Sequence, residues 1–502
     1  MLAASWSQPQ AEIWAHLSQF LLPRLIGHTL LMLAVVGVGV SVLGIGLAWL
    51  SACCDYPLRR WLDPLLVLPL AFPTYVLAFI YLGMLDYAGP VQTSWRDWFG
   101  GATPWLFEAL SRPSGVLLIL VLAFYPYVYL LARAAFIGGG LAAFEASRSL
   151  GEGPYRTFLR TSLPMARPAV VAGLALALME ALADFGAVSI YGFDTFTTAI
   201  YRTWLGLFNL TAAVQLASIL MLFVLLLLIA ERFSRARHAG RAARRPSGHR
   251  IRLDGPRGWA AAALQLAVIA LAVLLPLVQL LVWAWPDLSV AIDERLAEVV
   301  GNSMVLGLFG AVAVVCGGLM LLAATHHTSA RQVMLGEIAA LGYAIPGTVL
   351  AVAIMFAFLR FDQLAGTALA GGLTALVIAY LIRFVRVAWG PLDSVAGRIR
   401  PEYVEVARSL GVSRWYRLWR VNLPLLWPGL VTAFLLALVE VAKEMPATLM
   451  LRPFGWETLA VRIYELTAEG QWEMAAVPAL ILVVLGAIPV AVLIRSGRVR
   501  AI

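Results

Sequence analysis

Eleven apolar runs recur along the chain, at 27–51, 62–84, 114–137, 167–190, 211–230, 259–285, 299–323, 334–359, 366–388, 427–450 and 473–494. A helix rises about 1.5 Å per residue, so about twenty residues cross the roughly 30 Å of hydrocarbon in a bilayer. The runs are continuous and lack the short alternating pattern of an outer-membrane barrel strand. Hydrophobic residues make up 61% of the 502 and charged residues only 13%, with a mean hydropathy of +0.85. A soluble domain carries roughly twice that charged fraction. Because lipid offers the backbone no hydrogen bonds, such a chain must fold as helices that satisfy themselves. The sequence therefore predicts an all-α polytopic membrane protein with eleven spans.

The net charge of +9 is carried by arginine, Lys443 being the sole lysine. A basic balance can signify nucleic acid, but here the arginines gather in every second loop. Arg59 and Arg60 follow the first run, and Arg133, Arg148, Arg156, Arg160 and Arg167 surround the third loop. Nine arginines lie between 231 and 257, and Arg495, Arg498 and Arg500 end the chain. The alternate loops hold Asp86, Asp97, Asp287, Asp293 and Glu294. Arginine marks the cytoplasmic side, so the C-terminus lies inside and the N-terminus outside. This gives a periplasmic segment 1–26, a first half 27–230, a basic cytoplasmic linker 231–258, a second half 259–494 and a tail 495–502. Three cysteines, Cys53, Cys54 and Cys316, show neither disulfide nor zinc spacing.

A repeat ties the halves together. Glu145-Ala-Ser-Arg-Ser-Leu-Gly151 returns as Glu405-Val-Ala-Arg-Ser-Leu-Gly411, at an offset of 260. Nine of the 24 positions from 145 to 168 are identical without a gap, including Leu163-Pro164 with Leu423-Pro424. Further on, Glu180 matches Glu440 and Arg202 matches Arg462. Six spans lie between the copies, an even number, so both copies face the cytoplasm and the repeat is parallel.

Each copy reads as helix, turn, helix, within loops 138–166 and 389–426. Gly151 and Gly411 stand where a left-handed residue ends a helix. Pro154 suits the first position of the next helix, and Ser413 suits its N-cap. Leu-Pro is expected to close that second helix before the chain re-enters the membrane. Tyr155 and Phe158 in one copy, and Trp415 and Trp419 in the other, are apolar knobs that need a partner surface. Lipid contact alone would not impose so strict a register.

Glu-Ala-Ala, then Gly, then Leu-Pro resembles the EAA loop of binding-protein-dependent ABC importer permeases. The resemblance implies the MetI-like permease fold, with the loop's short helix seated in a cleft of an ATPase. Carried over, the coupling residues are Glu145, Gly151, Pro164, Glu405, Gly411 and Pro424, with Ser147 and Val406 replacing alanine. The segments 85–92, 179–186 and 196–204 are similar to fused iron(III) permeases of the Fbp/Sfu/Fut type. Members of that group usually have twelve spans; either the first half has lost its leading helix or the natural start lies upstream. The resemblance implies no cofactor in this chain, ATP and Mg bound by two copies of a partner ATPase, and a periplasmic binding protein on outer loops 85–113, 191–210 and 451–472. Related permeases carry thiamine, other small cations or oxyanions, so these stand as alternative cargoes.

Glu180 with Asp184, and Glu440 with Lys443 and Glu444, are expected on one helix face near the bilayer centre. Charges there cost roughly 2.5–3.5 kcal/mol each on insertion scales, so they should face the bundle interior. They are candidates for lining the translocation path, with Arg202 and Arg462 just outside; the alternative is a structural interhelix pair. His326-His327 and Tyr125, Tyr127 and Tyr129 read as loop and packing residues, and no metal site emerges. A secondary transporter using Glu180 and Glu440 as proton carriers would leave both loops unexplained. A membrane enzyme would need a clustered constellation that is not visible. No Gly-x-x-x-x-Gly-Lys is present, so the chain has no nucleotide site of that type.

Overall fold

A computed structural model describes residues 14–15, 17–101, 104–236, 250–286, 294–325, 334, 336, 340–399 and 401–499. The middle of the linker, His326-His327 and the last residues of the tail lie outside them. In chain order the main helices of the first half are α1 (Leu22–Cys53), α2 (Thr74–Leu85), α3 (Val116–Ala135), α4 (Leu141–Ser149), α5 (Leu163–Ala183), α6 (Gly186–Ile190) and α7 (Leu210–Ala236). Those of the second are α8 (Pro256–Ala284), α9 (Glu294–Thr325), α10 (Gly347–Ala365), α11 (Leu373–Ala396), α12 (Pro401–Ser409), α13 (Leu423–Lys443), α14 (Pro446–Leu451) and α15 (Trp472–Val499). Among the described residues ten helices are long and apolar enough to span a bilayer, and an apolar helix at Trp472–Ile488 stands where the eleventh is expected.

The reason these helices need lipid is visible in α1. Leu25, Thr29, Met32, Val36, Val40, Gly44 and Leu47 recur every three or four residues and are buried. The opposite face carries Leu30, Leu31, Val35, Val38 and Val42, all exposed. A helix that is apolar on both faces is stable only where its outer face meets hydrocarbon.

By contacts the chain divides into two compact units, one of residues 292–462 and one of residues 2–291 with 463–502. The larger unit is built on α1, α3 and α5, which pack on one another, with α8 against α15 and α15 against α2. The smaller is built on α9, α11 and α13, again mutually packed. Small residues set the approach in the larger unit. A Cβ on Gly44 would stand 2.7 Å from the Val128 side chain, and one on Gly173 would stand 2.8 Å from the backbone of Tyr127 and Val128. Van der Waals packing of this kind holds membrane helices together where no hydrophobic difference exists between helix and solvent.

Several expected spans are not single helices. The run 62–84 divides into a helix over Arg59–Leu65, a 3-10 turn over Leu68–Ala71 and then α2. Pro69 and Pro73 lack the N–H that a continuous helix would use. The run 334–359 yields α10 only from Gly347, after Pro346. The runs 167–190 and 427–450 each break near their outer ends, at 184–185 and 444–445.

In the larger unit, Cys54 and Asp55 pair in parallel with Ile251 and Arg252. The far end of the linker is thereby held against the loop that follows α1. Arg59, buried beside this pairing, bridges Asp55 and Asp63 at 3.3 Å each, and Tyr129 donates to Ser51 and to the Asp63 carbonyl.

Gly173→Leu should overpack the α3–α5 crossing and cost about 1–3 kcal/mol. The measurement is the thermal unfolding midpoint of the detergent-solubilised chain. Gly46→Ala, with nothing within 4 Å of the added carbon, should leave the midpoint unchanged.

Candidate functional site

The two repeated loops take the predicted turn. Gly151 has φ +92° and Gly411 φ +71°, the left-handed region that a side chain strains. Gly151 N–H donates to the Arg148 carbonyl and Glu152 N–H to that of Ser147, closing α4 with a Schellman motif. In the second copy Val412 N–H reaches back to the Ala407 carbonyl in the same way. Pro154 occupies the first turn of the following helix, and Ser413 Oγ caps its counterpart by accepting Tyr416 N–H at 3.3 Å. Ser147, standing where the family pattern has alanine, donates to Glu152 at 2.8 Å and so braces the first turn.

Leu-Pro does not end the second helix, contrary to the expectation from sequence. Helix runs unbroken from Pro154 to Ala183 and from Trp415 to Lys443. Each run widens into a π turn, at Phe158–Ser162 and Leu418–Asn422, just before Pro164 and Pro424. In the first copy Leu163 N–H bonds five residues back to Phe158. That widened turn relieves the clash between a proline ring and the carbonyl four residues earlier. The second helix of each loop and the membrane helix are therefore one rod.

Tyr155, Trp415 and Trp419 are 74%, 72% and 65% exposed. Phe158 instead packs inward, edge-on to Trp49 of α1 at 4.7 Å, in a cluster with Phe136 and Phe144. In the second copy Tyr403, Val406, Leu410, Tyr416 and Pro424 line an open groove of about 640 Å³. Glu145 is half-buried, and the side chain of Glu405 lies outside the described residues.

The far end of each rod is a helix break. Asp184 and Glu444 do not share a helix face with Glu180 and Glu440, as the sequence suggested, because α5 ends at Ala183 and α13 at Lys443. Both carboxylates are buried and turn onto the next short helix. Asp184 accepts Val188 N–H at 3.2 Å and the Thr74 hydroxyl. Glu444 accepts Ala447 N–H and Thr448 N–H at 3.0 Å each and the Thr448 hydroxyl at 2.9 Å, while Tyr380 shares a 2.7 Å hydrogen bond with that hydroxyl. Glu180, Glu440 and Lys443 are half-buried, with Lys443 three residues beyond Glu440.

Outside these breaks lie clamped carboxylates that sequence reasoning missed. Arg202 reaches Asp194 at 2.6 Å, and Arg24 from α1 holds the same carboxylate at 3.1 Å. In the second half Glu457 is held by Arg295 of α9 at 3.3 Å and by Arg452 at 3.9 Å. These residues, with Glu298 and Phe454, line a pocket of about 510 Å³. Arg462 is half-buried, its N–H bonded to the Thr458 carbonyl. Two of the three tyrosines of α3 are committed to packing: Tyr125 donates to the Leu66 carbonyl, and Tyr129 to Ser51. No group of three metal-ligating side chains occurs among the described residues.

The chain is similar in sequence to known transport proteins. The family described as binding-protein-dependent transport system inner membrane component matches residues 41–237 and 313–496. The Fe(3+)-transport system permease protein FbpB 2 of Haemophilus influenzae is 26% identical over 476 residues, covering 93% of this chain and 88% of that protein. The molybdenum transport system permease protein ModB of Escherichia coli is 33% identical over 144 residues, 29% of this chain and 60% of its own length. A putative 2-aminoethylphosphonate transport system permease protein, PhnV of Salmonella paratyphi A, is 34% identical over 172 residues, 34% of this chain and 63% of its own.

Phe158→Ala should lower the stability of the solubilised chain by about 1–3 kcal/mol, less than the ~3–5 of a fully buried phenylalanine. Tyr155→Ala should leave it unchanged. Thermal unfolding followed by tryptophan fluorescence separates the inward residue from the outward one.

Proposed function

Given that the chain belongs to the binding-protein-dependent transport system inner membrane components, and is thus a membrane-spanning permease subunit, we propose that its cargo is ferric iron. The observation that carries this is extent. Similarity to the FbpB 2 iron permease runs through both halves and 93% of the chain. The molybdenum and 2-aminoethylphosphonate permeases share about a third of it at most. Their somewhat higher identity over that stretch favours an oxyanion as the second reading.

In this proposal the exposed Tyr155, Trp415 and Trp419 seat against two copies of an ATPase. ATP and Mg are bound there, and this chain contributes no group to hydrolysis. Glu145, Gly151, Glu405 and Gly411 shape the seat. Because each docking helix continues into a membrane helix, a push at the loop is delivered about 45 Å along one rod. A periplasmic binding protein delivers cargo at the outer loops, close to the clamped Asp194 and Glu457. Glu180, Glu440 and Lys443, ionisable and half-buried in their spans, are retained as candidates for the path.

Cells lacking the chain should lose uptake of radiolabelled ferric ion and recover it on complementation. Unchanged ferric uptake, with loss of molybdate uptake instead, would reject iron in favour of the second reading. A Gly151→Val/Gly411→Val double variant should insert normally yet lose at least about tenfold in uptake, since each β-branched residue at positive φ costs about 1–2 kcal/mol. Wild-type uptake by that variant at equal membrane abundance would remove the loops from the mechanism.

A further inference from the structure

The helix breaks contain a second repeat, at a different offset from the first. Ala71-Phe-Pro-Thr-Tyr-Val-Leu-Ala78 and Ala344-Ile-Pro-Gly-Thr-Val-Leu-Ala351 lie 273 residues apart and agree at five of eight positions. Their backbones agree as well. Pro73 before α2 has φ −61°, ψ 144°, and Pro346 before α10 has φ −56°, ψ 141°. The break residues also correspond, Asp184 with φ −63°, ψ 130° and Glu444 with φ −68°, ψ 112°. In each half the proline-led helix packs on the short helix beyond the break, α2 on α6 and α10 on α14.

Among the differences between the halves, two face each other and differ in a compensating way. In the first half the carboxylate is the shorter aspartate, and the residue facing it is Thr74, whose hydroxyl donates to it. In the second half the carboxylate is glutamate, one methylene longer, and the residue in the place of Thr74 is Gly347. A Cβ on Gly347 would stand 2.5 Å from Glu444 Oε1, 3.1 Å from Arg383 Nη1 and 3.3 Å from Pro446 Cβ. Glu444 has no cheap way to retreat, because its two oxygens accept two backbone N–H groups and a hydroxyl. Arg383 is likewise held, its Nη1 donating to the Ile345 carbonyl at 2.9 Å.

Resting on the permease reading, we infer that Asp184 and Glu444 are positioning residues, each matched in length to the residue it faces, so that Thr74–Asp184 and Gly347–Glu444 are one coupling joint built in two non-interchangeable forms. The joint sits where the rod from the docking loop ends. A hydrogen bond in the first half and close packing in the second set that end against the first turn of the proline-led helix, so displacement of the rod carries α2 or α10 with it. Neither carboxylate needs to touch cargo for this.

The experiment is a double-substitution cycle in the full-length chain. Gly347→Thr should lower the thermal unfolding midpoint of the solubilised protein by several degrees and the maximal rate of ferric-ion uptake at least fivefold. Glu444→Asp alone should be milder. The Gly347→Thr/Glu444→Asp chain rebuilds the first-half pair in the second half, and should recover more than half of both losses. Throughout, the ferric concentration for half-maximal uptake should stay within twofold of the unsubstituted chain, as it would not if Glu444 contacted cargo. If Gly347→Thr does not accumulate, Asp184→Glu rescued by Thr74→Gly runs the same cycle in reverse. Additive losses in the cycle, or a changed half-maximal concentration in Glu444→Asp, overturn the inference. Absence of ferric uptake in the unsubstituted chain would reject the iron reading alone, and the unfolding cycle would still decide the joint.

Discussion

An unpartnered backbone amide in hydrocarbon costs several kcal/mol, and the helix breaks beside α6 and α14 are organised around that cost. The breaks after Ala183 and Lys443 would expose N–H groups of α6 and α14. Asp184 and Glu444 accept them. The prolines that open α2 and α10 stand where an N–H would have no partner in any case. Pro164 and Pro424 are preceded by π turns, and helix continues through both. Once these conditions are met, a helix can stop and restart inside the membrane, and a transport protein needs such places if rigid helices are to move against one another.

The two halves solve the same problem with different residues. Aspartate with threonine, or glutamate with glycine, fills a similar space. Aspartate clamped by two arginines on the outer face has its counterpart in glutamate clamped by two others, drawn from different sequence positions: Arg202 follows Asp194, whereas Arg452 precedes Glu457. Duplication preserved the geometry while the residues drifted in compensating sets. The repeated loops show the same pattern, with a serine-braced first turn in one copy and a serine N-cap in the other.

Local features were legible because they depend on neighbours in sequence. The left-handed glycines, the cap at Ser413 and the first-turn proline at Pro154 follow from positions within a few residues of one another. Phe158 was misjudged as an outward knob, since its direction is decided by Trp49, about a hundred residues away. The shared face of Glu180 and Asp184 was misjudged because helical spacing cannot announce where a helix ends in lipid. Thr74 and Gly347 were invisible, because the segment that holds them repeats at 273 and not at 260. Loop lengths between the two segments changed after duplication, and only packing brings them back into register.

By itself the sequence determined that this chain crosses the membrane many times, that its halves are copies of one family and that two repeated loops share one register. Hydropathy, arginine bias and gapless spacing are properties of the chain alone, so those conclusions needed no coordinates. The tertiary structure alone decided that Asp184, Glu444, Asp194 and Glu457 are committed to holding helices. The role of a carboxylate is defined by its partners, and those of Asp184 and Asp194 include Thr74 and Arg24, more than a hundred residues away. Burial and hydrogen bonding at that separation arise only when the helices pack.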